Sequence, residues 1–199
     1  MKKRYGISWP YRTRNVYHHH DDRELKDEWQ DEVYLHAAQI AQEYKYSNVI
    51  DVGCGSGFKL AKHFQSLNTL GLELPPQLEF LQNKYPNMCW QESDFDQPIQ
   101  FESEIAICAD VIEHLVDPDL LLQFLHSLNA QHYVISTPDR SLLYKPWKRR
   151  FWGPPRNPSH QRAWTFREFR RYIAGTFKVL DHKITRRDQA TQMIVCSRY

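Results

Sequence analysis

The chain has no run of about 18 uncharged apolar residues, so nothing in it is long enough to span a bilayer. Its first ten residues, MKKRYGISWP, also lack the apolar centre of a secretory signal. The expectation is a cytoplasmic protein. Only four cysteines occur, Cys54, Cys89, Cys108 and Cys196. They are widely separated and three fall in predicted strands, where a free thiol acts as a small apolar filler, so no disulfide or zinc framework is implied. No internal repeat or low-complexity tract is present. With 199 residues the chain suits one domain with a sizeable core.

Glycine is scarce too, seven in all, yet three of the seven stand at 53, 55 and 57 in DVGCGSG. Without Cβ atoms the backbone can turn sharply there and approach a ligand closely. An apolar strand leads in and a helical pattern leads out, so the turn makes a nucleoside-sized hole at a strand end. A dinucleotide fingerprint would place its third glycine at 58, where this chain has Phe58, and here an acid, Asp51, precedes the first glycine by two residues. That spacing argues against a pyrophosphate cradle. A second apolar run, 68–74, carries Glu73 where an α/β nucleotide site places the acid that accepts from both ribose hydroxyls. A carboxylate there would repel a 2′-phosphate.

At these residues the chain resembles the class I S-adenosylmethionine-dependent methyltransferases. DVGCGSG looks like their first motif, GLE at 71–73 like their ribose-binding acid, SDF at 93–95 like their adenine-contacting loop, and ADVIEHL at 109–115 like the segment after their fourth strand. The matches run in order through residues 48–115. The resemblance implies S-adenosylmethionine as cofactor, bound through Asp51, Gly53, Cys54, Gly55, Gly57, Glu73, Asp94, Phe95 and Asp110.

The remaining pattern agrees. Strand signals at 48–52, 69–73, 88–91, 104–108, 132–136, 177–184 and 191–197 alternate with helical ones at 57–66, 76–84, 117–128 and 165–174, after an amphipathic helix at 25–44. Such alternation predicts an α/β, doubly wound, mainly parallel seven-stranded sheet. The last two strands are too close in sequence for a parallel crossover and must pair as a hairpin, giving an antiparallel last strand, as in the Rossmann-like methyltransferase fold. Residues 1–199 read as a single methyltransferase domain, with 1–46 as an N-terminal arm and helix. The histidine triplet at 18–20 reads as solvated loop, because three adjacent side chains do not converge on one ion.

Residues 137–164 form a connection much longer than usual, with five prolines. Long loops of this kind tend to be lids or binding elements, and this one starts on the rim where open α/β sheets hold ligands. It is the expected substrate-recognition loop. From 140 to 171 there are ten Lys or Arg and one acid, Glu168, so this segment carries +9 in a chain of net charge +2. Such a field attracts an anionic acceptor.

Methyl transfer needs the acceptor held near the methyl carbon, and an oxygen acceptor also needs a base. The candidates are Glu113 and His114, which leave the fourth strand, and His160 in the loop. Glu113 and His114 could equally cap the next helix or orient the cofactor. The segment GPPRNPSHQRAWT resembles a tail of bacterial methyltransferases similar to those of surface-polysaccharide and glycosyl-transfer pathways, in which HxREW is usual. Here Ala163 replaces the acid. The resemblance implies O-methylation of a small anionic or glycosylated substrate.

Asp110, Glu113, His114 and His160 also resemble the metal site of small-RNA 2′-O-methyltransferases, where two acids and two histidines hold a divalent ion. Basic and aromatic residues alternate in 144–152, as single-stranded RNA binding would need. The third possibility is a non-catalytic module that keeps the cofactor pocket.

Overall fold

The computed structural model describes residues 3–14, 29–75 and 77–199. The histidine triplet and the start expected for the first helix, 25–28, lie outside them. In chain order the elements are α1 (Asp31–Tyr44), β1 (Asn48–Val52), α2 (Phe58–His63), β2 (Asn68–Glu73), α3 (Gln77–Lys84), β3 (Cys89–Glu92), β4 (Ile105–Ala109), α4 (Pro118–Ser127), β5 (His132–Pro138), α5 (Arg140–Leu143), α6 (Phe166–Ile173), β6 (Lys178–Arg186) and β7 (Thr191–Ser197). Short 3₁₀ turns at Ile112–His114 and Arg149–Trp152 complete the set. Among the described residues no helix is long and apolar enough to cross a membrane.

The strands form one sheet in the order β3-β2-β1-β4-β5-β7-β6. Pairs from β3 to β5 are parallel, and β7 inserts between β5 and β6 antiparallel to both. The chain steps outward from β1 to β2 and β3, then returns to β4 on the other side of β1. The loops after β1 and β4 therefore part in opposite directions and leave a crevice at the carboxyl ends of these strands.

Strand alternation divides the core between the two faces. Ile50, Val52, Ala106, Cys108 and Ile135 pack with α4 and α6 on one face, while Val49, Ile105, Ile107 and Val134 pack with α1 and α2 on the other. α4 starts on Asp117, whose carboxylate accepts from the Asp119 N–H, with Pro118 where no donor is needed. α6 starts on a reciprocal cap between Thr165 and Glu168. Three cysteines are buried, as fillers should be. Cys89 departs from the expectation: its strand is the sheet edge, and its side chain is exposed.

The long connection is built rather than loose. A bridge between Asp139 and Trp164 closes its base, and the fully buried Arg140 donates to the Glu168 carboxylate at 2.7 Å and to the Ala163 carbonyl. The N-terminal arm is irregular but packed. Ile7 enters the core, Trp164 Nε1 donates to the Tyr5 carbonyl, and the Arg12 and Arg14 N–H groups donate to the carbonyls of Trp152 and Gln161.

Candidate active site

The glycine turn is pinned before any ligand arrives, because the Gly53 and Cys54 N–H groups both donate to the Leu72 carbonyl, at 2.9 and 3.1 Å. Gly53 has φ +73°, and a Cβ on it would lie 2.5 Å from the Val111 side chain. Only glycine fits between the two loops that border the crevice. Gly57 answers a different need. It starts α2 at φ +69°, and a Cβ there would meet Leu81 and Trp90 at 2.6 and 2.8 Å, so it serves helix–strand packing and lies off the crevice wall.

The crevice has a volume of about 390 Å³. Gly53, Cys54, Gly55, Glu73, Phe95 and Asp110, all expected at the cofactor, line it. The Glu73 carboxylate accepts from the Gly55 N–H with one oxygen and from the Leu74 N–H with the other, each at 2.8 Å. These two bonds fix its orientation. Phe95 sits at φ +73° with its ring 5.4 Å from that of Phe124. Asp94 takes no part in the wall. It is exposed, and Ser93 and Phe95 on either side line the crevice instead.

Asp51 is also off the wall. Fully buried behind the turn, it accepts from the Tyr34 hydroxyl at 2.9 Å. Burial pushes its carboxyl up to about 7, against the hydrogen bond from Tyr34 and the charge of Lys59. Asp110 lines the crevice from a left-handed backbone, φ +55°, and accepts from Ser136 Oγ at 2.6 Å. Burial raises its carboxyl as well, opposed by hydrogen bonds from Ser136 and Gln30.

Glu113, His114 and His160 come together although the two histidines stand 46 positions apart in sequence. One ligand atom of each lies within 4.8 Å of the others, and the two imidazoles meet edge to face with centroids 4.7 Å apart. The Gln161 N–H donates to the Glu113 carbonyl at 2.8 Å, and the buried Arg162 guanidinium donates to the Leu115 and Val116 carbonyls at 2.8 and 2.7 Å. These bonds strap the loop to the segment after β4. Asn157, 3.0 Å from His160 Nε2, holds the ring. Ala163, which stands where an acid is usual in HxREW, is buried and held through its backbone by Tyr11 and Arg140.

Glu113 is almost completely buried. Thr137 Oγ1 donates to its Oε2 at 3.0 Å, whereas Oε1 is buried with no partner. Burial, and then the charge of Asp110, hold its carboxyl well above the usual range. The helix-capping alternative is not what the geometry shows, since α4 is capped by Asp117.

Sequence reading missed several lining residues: Trp29, Gln30, Tyr34, Lys59, Asn157 and Gln189. Lys59 is 6% exposed, with its ammonium 5.4 Å over the Tyr34 ring. The Gln30 N–H donates to Gln189 Oε1 at 3.1 Å, joining the start of α1 to the β6–β7 turn over the crevice. No local motif marks such residues.

The basic loop is less cationic at its surface than its composition implied, because Arg140 and Arg162 are internal struts. From 139 to 164 only Asn157 and His160 line the crevice.

Residues 14–176 match the methyltransferase domain family. No curated protein matches the chain. Among solved structures, the methyltransferase domain of bacterial CtHen1 is similar at a TM-score of 0.62 and 19% identity, over 85% of this chain and 98% of that one. An S-adenosylmethionine-dependent methyltransferase from Clostridium acetobutylicum gives 0.67 and 12%, over 89% and 95%. Magnesium protoporphyrin IX methyltransferase from Synechocystis, crystallised with SAH, gives 0.64 and 16%, over 85% and 84%. At such identities these likenesses establish the fold alone. The domain match, together with the glycine turn and the seven-stranded sheet with its inserted antiparallel strand, shows that the chain belongs to the methyltransferase domain family, as an S-adenosylmethionine-dependent methyltransferase.

Proposed function

We propose that this protein methylates a hydroxyl oxygen of a small anionic or glycosylated acceptor. The observation that carries this reading is the convergence of Glu113, His114 and His160 on the crevice wall. β2 and β4 flank β1, so Glu73 and Glu113 leave the sheet two strands apart, roughly 10 Å at the usual spacing. The Glu73 end suits the adenosine sugar, and the histidine end the acceptor.

Bound S-adenosylmethionine supplies a methyl group already activated on a sulfonium. The residues of this chain then have two tasks. One is to hold the acceptor oxygen in line with the methyl carbon at about 3 to 3.5 Å. The other is to take its proton: as the methyl group is transferred, the imidazole of His114 or His160 would accept the hydroxyl proton. Asn157 orients His160, and Glu113 lies against the pair. A general base of this kind contributes about 10²- to 10⁴-fold in rate.

A second reading has one observation in its favour. The unpartnered Glu113 Oε1 beside two imidazoles is a donor set that fits a divalent cation, which would fix vicinal hydroxyls as in an RNA 3′ ribose. Asp110, the fourth residue of that resemblance, is engaged by Ser136 and Gln30 and does not join the cluster. The base reading is therefore preferred.

The test is methyl transfer to a panel of sugar nucleotides, lipid-linked sugars and short RNAs, with and without a chelator. His114→Asn and His160→Asn should together lower kcat by two to four orders of magnitude and leave S-adenosylhomocysteine affinity within about twofold. Full turnover in the double variant refutes the base assignment. Turnover of RNA alone, abolished by chelation and restored by manganese, replaces it with the second reading.

A further inference from the structure

The segment after α5 carries a feature that the crevice does not use. Lys145, Lys148, Arg149 and Arg150 are all exposed, and Trp147 stands among them at 77% exposure. No acid occurs from 140 to 167. The two flanking acids are turned inward: Asp139 caps α5 and Glu168 is buried against Arg140. Among the described residues no ion pair engages these four cations, so the exposed surface of this stretch is cationic.

The scaffold beneath it is firm. Phe151 is buried under the Arg140 guanidinium, 4.8 Å from its ring centre. Trp152 Nε1 donates to the Pro146 carbonyl at 3.1 Å, and the Arg12 N–H donates to the Trp152 carbonyl at 2.8 Å. A large apolar ring is thus presented to solvent from a braced turn and ringed by cations.

We propose that the Lys145–Arg150 turn docks this protein on an anionic membrane surface, with Trp147 entering the interfacial layer and the four cations meeting lipid phosphates. An indole suits the headgroup layer, being apolar along its body and carrying one N–H donor. Clustered Lys and Arg add attraction to acidic lipids that falls off within a Debye length. Binding of this kind, with one shallow anchor and a few charges, is reversible. Single-stranded nucleic acid is the other polyanion to consider, but it needs successive exposed rings for its bases. Here Phe151, between Trp147 and Trp152 in sequence, is buried, Trp152 is only 37% exposed and tied by its Nε1 to the Pro146 carbonyl, the Tyr144 hydroxyl accepts from the Arg156 N–H, and the turn lies outside the crevice lining. The inference is independent of which hydroxyl is methylated.

The test is co-sedimentation of the full chain with vesicles of phosphatidylcholine alone or with about 30% phosphatidylglycerol, which gives a negative surface potential. Binding to the anionic vesicles only is expected. Lys148→Gln/Arg149→Gln/Arg150→Gln should weaken it about a hundredfold, and Trp147→Ala about tenfold. These residues are exposed, so both variants should fold, which circular dichroism checks. No binding to anionic vesicles overturns the proposal. So does binding that Trp147→Ala leaves unchanged, or that a short RNA displaces while itself binding more tightly.

Discussion

Replacing Glu73 probes the cofactor site at its most constrained point. In the folded chain its carboxylate accepts from the Gly55 and Leu74 N–H groups at 2.8 Å each, which fixes it on the crevice wall as the acceptor expected for the 2′- and 3′-hydroxyls of a ribose. A hydrogen bond to a charged acceptor contributes about 1.5 to 3 kcal/mol, so Glu73→Ala should cost roughly 3 to 6 kcal/mol of binding, or about 10²- to 10⁴-fold in Kd. Glu73→Gln is not conservative here, because one of the two N–H groups must then face an amide donor. Its loss should approach that of alanine. Titration calorimetry with S-adenosylhomocysteine reads the affinity, and thermal unfolding confirms that the variant is folded. A 2′-deoxy analogue sharpens the result: removing that hydroxyl should weaken binding to the natural chain and make little further difference to Glu73→Ala. A folded Glu73→Ala chain that binds within threefold of the natural one would refute the assignment, and equal penalties for the analogue in both proteins would show that Glu73 touches something other than the sugar.

Asp51 predicts a pH dependence of stability. Its folded-state value of about 7 lies above the unfolded value of about 3.9, so between these limits the folded chain binds more protons and stability falls as pH rises, levelling above about 7. Asp51→Asn should remove that slope, and the difference from the natural chain in urea titrations should grow by on the order of 2 to 4 kcal/mol across this window; a constant difference contradicts it. Arg140→Met leaves the Glu168 carboxylate buried without its cation and should lower stability by about 3 to 5 kcal/mol, seen as a shifted urea midpoint. An unchanged midpoint would mean that the pair does not hold the base of the loop. Gly71→Ala places a Cβ 2.4 Å from the Trp90 ring and should destabilise by about 1 to 3 kcal/mol with altered tryptophan emission. Natural stability and emission in that variant would show that Trp90 packs elsewhere.

The sequence by itself determined what depends on local chemistry and period. Apolar runs such as VIDV and IAICA declared buried strands, and glycines at 53 and 55 declared a sharp turn at the end of the first. The four residues between the last two strands forced a hairpin because no parallel crossover is that short. Only the tertiary structure decided which candidates share a wall. Asp51 and Gly57 belong to the same motif as Gly53 yet face Tyr34, Leu81 and Trp90, because strand alternation and the entry of α2 turn them inward. Of the ten cations in the basic segment, Arg140 and Arg162 became buried struts, a division that composition cannot express. His114 and His160 meet because Arg162 and Gln161 bind carbonyls 113, 115 and 116, contacts made through backbone oxygens that every residue carries and no sequence pattern marks. The partnership of Tyr34, Lys59, Gln30 and Gln189 over the crevice likewise arises only when the two ends of the chain are packed together.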